Sequence, residues 1–119
     1  MKKITSLALL SAIILLFSGC VSSKTAVGLK SKVEKNNRQL LFLKLGMTKN
    51  DVYKVMGTPQ SSEGYDWGTV WIFRTSSNHS VTFQGALDEN HTPVVFDKDD
   101  KLIGWGRQVY LQKNPEAQP

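Results

Sequence analysis

Few side chains in this 119-residue chain could do chemistry, and most are spaced so that they would not. Cys20 is the only cysteine, and it closes the run Leu15-Leu16-Phe17-Ser18-Gly19-Cys20. The two histidines, His79 and His91, lie in a polar central span with no cysteine and no HExxH spacing around them, so no metal site is expected. Glu63 and Asp66 are close enough in sequence to pair across a turn, but that spacing in a Ser/Gly-rich loop reads as solvated surface. Ser61, Ser62, Ser76, Ser77 and Ser80 lack a G-x-S-x-G context, and no glycine-rich phosphate loop is present. The expectation is a non-enzymatic chain without metal or cofactor, whose one chemically distinctive group is the Cys20 thiol.

The residues before Cys20 say what that thiol is for. Lys2 and Lys3 are followed by the apolar stretch Ile4 to Phe17 and then by the small pair Ser18-Gly19. Positive charge, apolar stretch and small-residue cleavage site, in that order, make a secretory signal over residues 1–19, and the apolar part is short for a membrane-spanning helix. The cysteine directly after the small residues resembles the lipobox of bacterial lipoprotein signals, with Phe17 in place of the usual Leu. That resemblance implies cleavage between Gly19 and Cys20, a diacylglycerol on the Cys20 sulfur and an acylated new amino terminus. Two or three acyl chains exceed what reversible one-chain anchoring provides, at about 0.8 kcal/mol per buried methylene. Val21 and Ser22 follow, with no Asp behind the cysteine, which by resemblance to Gram-negative sorting implies the periplasmic face of the outer membrane. An ordinary free thiol after simple cleavage is the plainer alternative.

Without residues 1–19 the chain has 100 residues, and losing Lys2 and Lys3 leaves thirteen basic against ten acidic residues, so the net charge falls from +5 to +3. Such a small excess, with both signs interspersed, gives no nucleic-acid footprint. Lys24, Lys30, Lys32, Lys35 and Arg38 gather near the anchor, where they either attract acidic head groups or simply solvate a tether. One hundred residues make one small domain.

Val21 to Gly28 has no apolar period, and residues 20–28 are expected to be a flexible tether. Leu29, Val33, Leu40, Leu41 and Leu43 recur near helical spacing and predict a helix over 30–43, stopped by Gly46, although polar residues from Glu34 to Gln39 interrupt the stripe. A second helix, Lys49 to Met56, has both ends written locally: Thr48 caps it, Asp51 sits three residues on, Gly57 ends it and Pro59 prevents its continuation. Gln60 to Gly64 reads as a turn. Gly68 to Thr75 alternates as a strand, with Val70 and Ile72 on one face and Trp71 and Phe73 on the other. Ser80 to Gln84 alternates weakly, Thr92 to Asp97 and Leu102 to Trp105 read as a hairpin, and residues 111–119 as a disordered tail. The fold class is therefore α+β, with two N-terminal helices packed on one face of a three- to four-stranded antiparallel sheet across residues 29–110.

Leu45-Gly46-Met47-Thr48, Val52, Met56-Gly57-Thr58-Pro59, and Trp71 with Phe73 together resemble the SmpA/OmlA (BamE-like) family of outer-membrane lipoproteins. The likeness covers Leu40 to Thr75, and Thr92 to Phe96 with Gly104 to Gly106 look like a variant of that fold. It implies an accessory or scaffold protein of the envelope, in outer-membrane protein assembly or envelope integrity. It equally admits an inhibitor of a periplasmic enzyme, since proteins resembling this fold include β-lactamase inhibitors. A ligand- or cell-wall-binding module is the third reading. Membrane contact through the lipid and an envelope protein partner are expected. Trp71 and Trp105 read as core, whereas Tyr65, Trp67 and Phe73 are the candidate partner-binding residues if they lie on an open sheet face.

Overall fold

The computed structural model describes residues 24–77 and 85–117. The signal segment, Cys20, His79 and the weak strand over Ser80 to Gln84 lie outside them. The chain divides into two units, residues 1–30 and 31–119. The described part of the first is the opening of helix α1, Lys24–Leu40, and the second holds the sheet and its core.

Helix α1 begins earlier than its apolar spacing predicts, inside the segment expected as a tether, and it ends at Leu40. Over Leu41, Phe42 and Leu43 three successive N–H groups bond back to the carbonyls of Arg38, Gln39 and Leu40 at 3.0–3.2 Å, so the helix tightens before it stops. Its polar interruption has a use. The side-chain amide of Asn36 donates to the carbonyl of Arg74 and that of Asn37 to Thr75, each at 2.8 Å, which ties the helix to the end of a strand by hydrogen bonds in addition to the apolar contact that Leu40 makes with the core.

Helix α2, Lys49–Met56, starts as the sequence dictates. The Thr48 hydroxyl accepts from the Asp51 N–H, and the Asp51 carboxylate accepts from the Thr48 N–H, both at 3.1 Å. Two orphan donors are thereby satisfied reciprocally. Gly57, at φ 77, closes the helix by donating to the Tyr53 carbonyl at 2.8 Å.

Among the described residues the sheet has four strands, β1 Ser61–Tyr65, β2 Gly68–Arg74, β3 His91–Asp97 and β4 Leu102–Trp105, ordered as an antiparallel meander β1-β2-β3-β4. The expected β3–β4 hairpin is present. Its turn is held by the Asp97 carboxylate, which accepts from the N–H groups of Asp99 and Lys101, and Asp100 supplies the left-handed residue at φ 59. Strand β1 replaces the turn expected at Gln60 to Gly64. It is a polar edge strand, recognisable only through its backbone pairing, Ser61 with Ile72 through Tyr65 with Gly68.

The register puts Trp71, Phe73, Val94, Phe96 and Leu102 on one face, where Val52 and Met56 of α2 and Leu43 pack against them. Val70, Ile72 and Val95 occupy the other face. The expectation of an open second face is corrected here. A third helix, α3 Arg107–Lys113, continues into a 3-10 turn, Pro115–Ala117, through the stretch expected as a disordered tail. Tyr110, Val109 and Leu111 of this helix close the second face. Its sequence carries too short an apolar period to announce a helix, and burial on the sheet supplies what propensity does not. The architecture is α+β, with helices on both faces of the antiparallel sheet.

Candidate partner surface

Of the three aromatics expected to meet a partner, the structure separates one from the other two. Phe73 is 1% exposed and belongs to the core beneath α2, so it offers no surface; its alternation along β2 points it inward with Trp71. Tyr65 and Trp67 flank Asp66 at the β1–β2 turn, where both remain half-buried. Their rings stack 4.8 Å apart at an interplanar angle of 10°. Neither Trp71 nor Trp105 is fully buried; both pack against the first core cluster as expected.

The stack is fixed from beneath. The Tyr65 hydroxyl donates to Glu63 Oε2 at 2.6 Å and meets the Tyr110 hydroxyl at 3.0 Å, and Asn114 Nδ2 donates to the Tyr110 oxygen at 3.1 Å. Tyr110 also meets the Tyr65 ring edge-on, 6.4 Å between centroids. Burial, then the bonds to Glu63 and Tyr110, push the Tyr65 phenol well above its ordinary range. Glu63 is thus a hydrogen-bond acceptor for a phenol, while Asp66 stays exposed at the tip of the turn, and the two carboxylates do not act together. Tyr110 lies in α3 and Asn114 caps its end, and the short apolar period of that helix announces neither in the sequence.

A second polar group sits at the start of β3. His91 Nδ1 lies 3.5 Å from Asp88 Oδ1, with both side chains nearly buried, and the Asn90 N–H donates to the same Asp88 oxygen at 2.7 Å. Next to them is a cleft of about 340 Å³ whose lining includes Ala86, Glu89, Pro93 and Arg107. An imidazole beside a carboxylate can move a proton, but the bonds made here also fold the turn that delivers the chain into β3. Among the described residues no three His, Cys, Asp or Glu side chains gather to hold a metal ion.

The third feature is apolar. Leu41, Phe42 and Leu45 are 84%, 62% and 69% exposed, while Leu43 between them is buried. Among the described residues no helix is long and apolar enough to cross a membrane.

A family model described as a protein of unknown function, DUF3192, matches residues 11–112, which takes in the lipobox-like run, both expected helices, the sheet and nearly all of α3. The chain belongs to the DUF3192 family. No curated protein and no solved structure matches it. The matched stretch takes in the position of Cys20 as well as the folded domain.

Proposed function

We propose that this DUF3192 protein is a non-enzymatic lipoprotein, anchored through acylated Cys20 to the periplasmic face of the outer membrane, that serves as an accessory or scaffold for an envelope protein. The lipobox-like run supports the anchor, and the Leu45-Gly46-Met47-Thr48 and Gly57-Thr58-Pro59 segments, with their likeness to SmpA/OmlA lipoproteins, support the envelope setting. Two helices leading into an antiparallel sheet are consistent with a variant of that fold, to which α3 adds a cover on the second face.

The observation that carries the docking part is the Tyr65–Trp67 stack, with its phenol fixed by Glu63 and Tyr110. A rigid aromatic pair loses little conformational entropy on binding and presents large contact area, and interface energy concentrates in such anchors. Cover of the Trp71 and Phe73 face by α2 and of the other face by α3 favours docking through the Tyr65–Trp67 stack over inhibition through an open sheet face. A photoreactive residue at Trp67, in cells expressing the chain at its normal level, should yield an adduct with an envelope protein, while the same residue at Phe73 yields none. A folded chain with no adduct from position 67 or 65 would remove the scaffold role, and capture of a soluble hydrolase would favour the inhibitor.

A further inference from the structure

The corner between α1 and α2 has a composition unlike the rest of the surface. From Lys35 to Asn50 there are four basic residues, Lys35, Arg38, Lys44 and Lys49, and no acidic one. Within this stretch Leu41, Phe42 and Leu45 stand out into solvent, three large apolar side chains in five residues. Scattered exposed apolar residues need no explanation, but a cluster of this kind marks a surface that something covers.

The corner is not a slack loop. The N–H groups of residues 41–43 bond back into α1, the Gly46 N–H donates to the Leu102 carbonyl at 2.8 Å, and the Leu102 N–H donates to the Met47 carbonyl at 2.7 Å. Leu43 is drawn into the core, 5% exposed, and that inward turn forces its neighbours outward. Lys44, at the centre of the cluster, is exposed. The neighbouring β3–β4 turn carries Asp97, Asp99 and Asp100 beside Lys98 and Lys101, and Asp100 pairs with Lys49 at 2.9 Å, so the corner's positive charge rests on Lys35, Arg38 and Lys44. Across residues 31–54 there are six basic and two acidic residues, whereas residues 55–119 hold five basic and eight acidic.

Protruding Leu and Phe in a stretch that also exposes Lys35, Arg38 and Lys44 and contains no Asp or Glu match the interface of an anionic bilayer. The rings and branched chains enter the boundary between head groups and acyl chains, and the cations stay at head-group level. We infer that the 41–45 corner is a membrane-facing surface, with Leu41, Phe42 and Leu45 dipping into the anionic leaflet that holds the lipid anchor. This rests on the anchored reading of Cys20, and it adds an orientation: the domain lies against its own membrane and does not hang free from the lipid.

The test uses the mature chain purified from membranes and reconstituted into vesicles of phosphatidylethanolamine and phosphatidylglycerol. With Cys20 acylated, Phe42→Cys supplies the one free thiol for an environment-sensitive fluorophore, and Leu45→Cys and Ser62→Cys serve as second site and exposed control. The labels at 42 and 45 should shift to the blue and be quenched by doxyl lipids, less so in phosphatidylcholine vesicles, while the label at 62 stays in water. Vesicle flotation and the count of reactive thiols report the anchor separately. A chain with a free Cys20 that floats with its 42 label buried would overturn the anchor and keep the corner. A floating acylated chain whose 42 label is as wet as that at 62 would overturn the corner and keep the anchor. Shielding of position 42 only at raised chain concentration, or only when envelope protein is added, would likewise overturn the membrane assignment.

Discussion

Tyr65 and Tyr110 meet hydroxyl to hydroxyl at 3.0 Å, joining an edge strand to the C-terminal helix across 45 residues of sequence. With Glu63 on one side and Asn114 on the other they form a four-member chain of hydrogen bonds that fixes both the aromatic stack and the cover of the second sheet face. Tyr65→Phe removes the donor to a carboxylate and should cost about 1.5–3 kcal/mol, and Tyr110→Phe about 1 kcal/mol. In denaturant unfolding the double variant should lose less than the sum, by about 0.5–1 kcal/mol, because the two hydroxyls share one bond. Strict additivity would mean that the phenols stabilise the fold independently.

The same pair sets an alkaline limit. The Tyr65 phenol is held above its ordinary value of 10.0 because burial and its bonds favour the neutral form. A folded pKa above the unfolded one gives stability that is complete below about pH 10 and is lost as pH rises beyond it. The unfolding midpoint of the native chain should therefore fall more steeply above that pH than the midpoint of Tyr65→Phe. Parallel curves would show that Tyr65 ionises as freely in the folded chain as in the unfolded one.

At the other end of the scale the cap of α2 responds to acid. Asp51 lies below its ordinary value of 3.8, chiefly through the backbone N–H of Thr48 and then the Thr48 hydroxyl. Lowered in the fold, it contributes stability above the unfolded pKa that is lost as pH falls through the folded one. The gap between native chain and Asp51→Ala in thermal melts should narrow from about pH 5 down to about pH 2. Thr48→Ala should cost about 1 kcal/mol at neutral pH. A gap that is constant with pH would show that the carboxylate does not cap.

How much of this could be read from the chain alone depends on where each element keeps its information. Helix α2 keeps it locally, in Thr48, Asp51, Gly57 and Pro59, and the alternation of Val70, Trp71, Ile72 and Phe73 assigned both faces of β2 correctly. Strand β1, Ser-Ser-Glu-Gly-Tyr, has no apolar period and exists because β2 offers it a backbone partner. Helix α3 exists because Val70, Ile72 and Val95 need a cover, and a seven-residue segment with one buried side chain, Tyr110, carries little trace of that need. Phe73 was legible as a strand residue but not as a buried one, since alternation separates two faces without saying which is covered. The corner at 41–45 was hidden for the opposite reason: Leu40, Leu41 and Leu43 fit a helical stripe, and only the tightening after Leu40 turns Leu41 outward.

Gly68 shows how closely the strands approach. A methyl group there would overlap the carbonyl oxygen of Phe96 on β3, and that atom belongs to backbone and cannot swing aside. Gly68→Ala should destabilise the domain by about 3 kcal/mol or more, in the range of strained or overpacked sites. Gly104→Ala meets only the Val109 side chain and should cost less in the same unfolding assay. Equal costs would show that β2 and β3 can separate locally to admit a side chain.

The claim on which the functional account stands is that Cys20 carries lipid. The intact mass of the mature protein, extracted from membranes, tests it most directly. The expected product is a chain beginning at Cys20 with the added mass of a diacylglyceryl group and an amino-terminal acyl chain. An unmodified thiol at Cys20, or a mature terminus at another residue, would contradict it.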